Sequence, residues 1–280
     1  MRPRSSLLSR RQLCAAGAAL AAPLPAAPLG LPIGCQTYPV RDALGKDFDG
    51  TLRELAAIGF RSIEMCSPQG YSKTGYGALL GIPPREIRRR IKAAGLVCPS
   101  SHYQFREFKE NLDETIAYAR ELGLKQMVLS TFSLRNARLA EWARAAQDLN
   151  RAAEKISKAG LQTGFHNHNV EFEKADGELI YDRIMKELDP KLVKMQFQVW
   201  VVSMGVDPVA VLEKYPGRFC SLHLQDYTPA TKGMAAIGKG SVDWKRLFAA
   251  ARKGGVKNYF VEMDLPLMRE SYPFLNSLAA

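Results

Sequence analysis

From residue 31 onward two textures alternate along the chain. Short runs rich in apolar and β-branched residues give way to longer stretches whose apolar positions recur every three or four residues, and the cycle repeats eight times. The short runs predict strands over 31–38, 61–66, 96–102, 124–130, 161–167, 192–198, 218–224 and 258–264. The longer stretches predict helices. Residues 47–59, "DFDGTLRELAAIG", open on acids, place Leu52, Leu55 and Ile58 at helical spacing and stop at Gly59. Residues 83–95 start on two prolines and end on Gly95, and 111–123, 144–160 and 241–255 repeat the form. Strand–helix alternation implies a parallel sheet with right-handed crossovers. Eight units in about 250 residues fit a single closed (β/α)8 TIM barrel, with an open doubly wound sheet as the alternative. The first strand is followed by no GxGxxG, so a dinucleotide fingerprint is lacking. No linker divides residues 31–280, which read as one domain.

The first thirty residues break the pattern. A basic start, an Ala/Leu-rich stretch and a run of small residues and prolines make the three-part layout of an export signal. "SRRQL", Ser9 to Leu13, resembles the twin-arginine signal, with cleavage expected between Ala21 and Gly30. The expected location is periplasmic or secreted, with no permanent membrane anchor. Four of the chain's arginines and none of its acids precede residue 31, so the remainder carries +7 of the total +11. Its bases lie along helices without interleaved aromatics, a solvated face and not a nucleic-acid track. Cys35, Cys66, Cys98 and Cys220 fall in predicted strands, with no CxxC, and read as reduced core thiols.

Barrel enzymes carry their chemistry at the C-terminal ends of the strands. All four histidines, His102, His166, His168 and His223, fall there, with Glu64, Gln198, Glu262 and Asp264. Residues i and i+2 of a strand point the same way, so His166 pairs with His168 and Glu262 with Asp264. Imidazoles and a carboxylate converging on a cleft suit a divalent metal or a polar substrate. Arg218 is a candidate clamp for a hydroxyl or an anion, with a surface salt bridge as the alternative. Lys239, in the loop "GKGSVDW", is a candidate substrate contact, and Asp243 reads as a helix cap.

In order along the chain, "IGCQTYPVRD", "GFHNHNVEFE", "PGRFCSLHLQD", "GKGSVDW" and "YFVEMD" resemble the xylose isomerase-like barrels called sugar phosphate isomerases/epimerases. The resemblance implies a divalent ion (manganese, magnesium, cobalt or zinc) held by Glu, Asp, His and Glu from four strand ends. Carried over, His223 matches the histidine and Glu262 the last glutamate. His166 stands in the first glutamate's place, and Gln198 in the aspartate's, where a neutral amide weakens the site. Gln225 stands where lysine is common. The expected metal set is therefore His166, Gln198, His223 and Glu262. Glu262 and His166 are the catalytic candidates, and Glu64, His102, His168, Arg218 and Lys239 the substrate-binding ones. Glu64, Glu171 and Glu173 are alternatives for the missing second carboxylate. The implied activity is a sugar isomerase or epimerase moving a proton next to the carbonyl of a keto-sugar or related polyol. A carbohydrate-binding barrel with a degenerate metal site is the alternative. Action on abasic DNA, which needs a histidine-rich multi-zinc site, fits four histidines poorly. Oligomerisation is left open.

Overall fold

The computed structural model describes residues 27–278, so most of the expected export signal lies outside the described residues. Eight parallel strands close into a ring in which each pairs with its sequence neighbours and the last with the first. They are β1 Gly34–Gln36, β2 Ser62–Cys66, β3 Val97–Tyr103, β4 Gln126–Leu129, β5 Gln162–His166, β6 Val193–Gln198, β7 Phe219–Leu224 and β8 Asn258–Val261. This is the expected (β/α)8 barrel, and the open sheet is excluded. All but the third of the predicted runs are longer than the strands because their ends turn into loops. Asp264, for example, caps the helix Leu265–Ser277 by accepting from Leu267 N at 2.9 Å, and so leaves the pairing with Glu262 that a continued strand implied.

The predicted helices form within a few residues of their expected limits, except that the fourth begins earlier, at Leu139. Asp243 caps the helix Trp244–Lys253 through Arg246 N, as its position suggested. The structure adds the helices Ile180–Glu187 and Pro208–Lys214 and a hairpin, Asp226–Thr228 with Gly233–Ala235. Among the described residues no helix is long and apolar enough to cross a membrane.

Alternation along each strand divides the molecule into two interiors. Ile63, Met65, Met127, Leu129, Phe165, Phe197, Leu222, Leu224, Tyr259 and Val261 are buried and belong to the apolar core between strands and helices. The intervening residues face the barrel axis, where Val, Ile and Leu usually dominate. Here the lining is mostly polar. Gln126 Oε1 accepts from Asn258 Nδ2 across the barrel at 2.9 Å near its N-terminal end. Above them Phe260 and Val128 fit because their neighbours are glycines. A Cβ on Gly34 would lie 2.6 Å from Phe260 Cδ1, and one on Gly164 would lie 2.9 Å from Val128 Cγ2. The four described cysteines are free thiols, three of them buried. Burial pushes the Cys98 and Cys220 thiols up to about 12, so neither is a ready nucleophile.

Candidate active site

Glu64, the middle residue of β2, is the hub of the polar barrel lining. It is fully buried and paired in register with Ser100. Gln36 Nε2 donates to its Oε2 at 2.7 Å, Gln196 Nε2 to its Oε1 at 2.8 Å, and Ser100 Oγ also to Oε1. His223 Nε2 lies 2.5 Å from Oε2, and His102 Nε2 lies 3.2 Å from the same atom. Burial alone would push this carboxyl up, but the charges and hydrogen bonds of His102 and His223 outweigh it and hold the group below the usual range. Glu64 is therefore a saturated anion and has no lone pair to spare for a substrate proton.

The histidines stand above it at the strand ends. The ring centroids of His102 and His166 are 4.9 Å apart, those of His102 and His223 5.1 Å, and those of His166 and His223 4.5 Å. One nitrogen from each of the three lies within 4.8 Å of the others. His102 Nε2 also meets Gln196 Oε1 at 2.6 Å. His223 lies between two carboxylates, with Nε2 on Glu64 and Nδ1 3.1 Å from Glu262 Oε2. Burial lowers its pKa, but the two anions more than reverse this and carry it up to about 10. His166 has no carboxylate. Burial, then the neighbouring imidazoles, hold it well below the usual histidine range, and its buried Nδ1 has no hydrogen-bond partner.

Glu262, just past β8, retains partial exposure. Gln198 Nε2 donates to its Oε2 at 2.6 Å, and Gln225 Nε2 donates to its backbone carbonyl at 2.7 Å. Burial raises the Glu262 carboxyl, but His223 above all lowers it, and the net shift is downward. The bonds to its side chain converge on Oε2.

The structure therefore brings together His166, Gln198, His223 and Glu262, with Glu64 and His102 beside them. His168 is exposed at the rim, its ring 4.8 Å from that of His166. Two expected substrate contacts have other partners in the structure. Arg218 precedes β7 at the opposite end of the barrel, where its guanidinium donates to the Met185 and Leu188 carbonyls at 2.9 and 3.1 Å. Lys239 is on the correct side but pairs with Glu270, on the helix Leu265–Ser277. The alternative carboxylates also fall away. Glu171 is buried beneath the His168 backbone, accepting from its N–H at 2.7 Å, and Glu173 is exposed. Sequence reading missed Gln36, Ser100, Gln196 and Ser221. Their signal was polar residues at every second position of otherwise apolar strands, as in "MQFQ" and "SLHL".

The donor set fits a divalent cation. His102, His166 and His223 offer nitrogen, Glu262 offers an anionic oxygen, and the unpartnered His166 Nδ1 lacks the bond that a cation would supply.

Comparison with known proteins places the chain. It is 24% identical over 139 residues to an inosose dehydratase of Lacticaseibacillus casei, covering 43% of this chain and 46% of that protein, so it spans about half the length of that relative. With an inosose dehydratase of Clostridium botulinum (strain Alaska E43 / Type E3) it shares 24% identity over 254 residues, 78% of this chain and 82% of the relative. Among solved structures, a sugar phosphate isomerase/epimerase from Parabacteroides distasonis superposes with a TM-score of 0.76 at 25% identity, over 88% of this chain and 93% of that one. The family description "xylose isomerase-like TIM barrel" matches residues 52–277, which hold seven of the eight strands and every histidine of the site, and the chain belongs to that family.

Proposed function

We propose that this protein is a divalent-metal-dependent enzyme that removes a proton from carbon next to the carbonyl of a keto-sugar or cyclic polyol. The observation that carries the reading is Glu262. It is the one carboxylate of the cluster that retains exposure, and its hydrogen bonds gather on Oε2, leaving Oε1 to take the proton. His223, held between Glu64 and Glu262, fixes the carboxylate's orientation and favours its anionic form. His166, kept neutral by burial, keeps its unpartnered Nδ1 for a cation. A cation held by His102, His166, His223 and Glu262 would act as a Lewis acid on the substrate carbonyl.

Because Glu64 is saturated, the cluster has one carboxylate available as a base. One base supports return of the proton on the same face, as in isomerisation, or its delivery to a neighbouring hydroxyl that leaves as water, as in dehydration. Inversion by two opposed carboxylates has less support. The test is incubation of the purified protein with a panel of ketoses and inososes in D2O, read by NMR. The expected result is exchange at the carbon next to the carbonyl, slowed at least about 100-fold in Glu262→Gln. Absence of exchange across the panel, with sugar binding intact, would support a second reading. That reading is a carbohydrate-binding barrel, favoured by the 2.6 Å Gln198–Glu262 bond that occupies one carboxylate oxygen. We also propose export through the twin-arginine-like segment, which fusion of residues 1–30 to a folded periplasmic reporter would test.

A further inference from the structure

We propose that the site selects a borderline transition ion, zinc or cobalt, over magnesium and manganese, and that His102 is one of its ligands. The inference deepens the metal-dependent reading above and rests on it. Two of the three places that the family resemblance fills with carboxylates hold neutral groups here, His166 and Gln198. Glu64, outside those places, lies below the cluster with both oxygens occupied by hydrogen-bond donors. Glu262 is the single anionic oxygen donor left, facing three imidazoles whose nitrogens lie within 4.8 Å of one another. Carboxylate, carbonyl and water oxygens suit magnesium and manganese, whereas imidazole suits zinc, cobalt, nickel and copper.

The surroundings fit ligands held from behind. Gln196 Oε1 meets His102 Nε2 at 2.6 Å, which leaves Nδ1 of that ring for a cation; Glu64 Oε2 meets His223 Nε2 at 2.5 Å, and His223 Nδ1, now 3.1 Å from Glu262 Oε2, would exchange that bond and its proton for the cation. An acceptor on one ring nitrogen fixes the tautomer and raises the basicity of the other. His166 Nδ1 is buried and unpartnered in the same cluster. Zinc–nitrogen bonds of about 2.0–2.1 Å bring tetrahedral donors to roughly 3.3 Å from one another. Small ring rotations would close the triad from its present spacing. Gln198 stays beside the cluster with its amide already engaged by Glu262 and by Trp200 N.

The test uses the full chain, stripped with a chelator and titrated separately with Zn2+, Co2+, Mn2+ and Mg2+. Affinity is read by calorimetry and ligation by Co2+ visible absorption. The expected result is one equivalent of Zn2+ or Co2+ bound at least about 100-fold more tightly than Mn2+ or Mg2+, with a four- or five-coordinate cobalt spectrum free of thiolate charge transfer. His102→Asn and His166→Asn should each weaken Zn2+ at least about tenfold. Gln198→Asp should move the preference toward Mn2+. If Mn2+ or Mg2+ binds as tightly as Zn2+, or if a folded His102→Asn variant keeps full Zn2+ affinity, the inference is overturned while the metal-dependent reading stands. Thiolate bands would also overturn it, by moving the ion to the cysteines. If no divalent ion binds, both fall. The wild-type selectivity and the His166 variant decide the matter even if the His102 variant does not fold.

Discussion

At the scale of single residues, two buried glutamates behave oppositely because their surroundings differ. Glu64 has hydrogen-bond donors on both oxygens, and Glu171 is left with Oε1 unpartnered. Removing the Glu64 carboxylate strands two histidines and two amides in a closed space. Glu64→Ala is therefore expected to cost about 3–5 kcal/mol, measured by urea unfolding at neutral pH. Burial pushes Glu171 up to about 7 from the usual 4.5. Between those values the folded state binds more protons than the unfolded one, so stability falls as pH rises through that window. Glu171→Gln should flatten that fall, and unfolding curves taken at pH 4.5 and pH 7 would show it. An unchanged slope would place the titration elsewhere.

At the scale of elements, the loop after β7 shows how a motif becomes geometry. Asp226, fully buried, accepts from Tyr227 N, Gly238 N, Gly240 N, Val242 N and Trp244 Nε1, all between 2.8 and 3.2 Å. The glycines of "GKGSVDW" follow from this. Gly238 has a φ of +89°, and a Cβ on Gly240 would collide with the Asp226 carboxylate. Lys239 lies between them, and its side chain turns outward to Glu270. Asp226→Ala should release the loop, seen as faster limited proteolysis between residues 228 and 243, while far-ultraviolet circular dichroism stays near wild type. The inner wall of the barrel makes a second prediction. Gly34→Ala would press on Phe260 Cδ1 and on the Tyr259 carbonyl, and should destabilise by about 1–3 kcal/mol in denaturant titration. The strands and the amphipathic helices were legible because burial on one side imposes a period of two or 3.6. The helix Pro208–Lys214 was not, because seven residues give too few turns to show a period.

At the scale of the whole molecule, the barrel begins earlier than its repeat pattern suggested. Residues 27–30 were read as the end of a leader, yet Ala27 and Pro28 are buried, and Tyr259 Oη donates to the Pro28 and Leu31 carbonyls at 3.1 and 3.2 Å. A chain starting at residue 27 should therefore melt several degrees higher than one starting at residue 31, by differential scanning calorimetry. Equal melting temperatures would show that this contact contributes nothing to stability.

The sequence by itself determined the number of strands, their parallel order and the end of the barrel that carries the histidines. These follow from local periodicity and from the rule that strand ends gather at one face. Only the tertiary structure decided which polar groups are already satisfied. Glu64 and Glu262 look alike as letters in two strands. Ring closure surrounds one with hydrogen-bond donors and leaves the other partly open, because residues up to 159 positions apart meet across the barrel axis. Arg218 opens the predicted strand 218–224, so chain direction alone put it at the far end; closure decided which neighbours His102 and His223 meet across the axis, since that depends on register, which one-dimensional spacing does not encode.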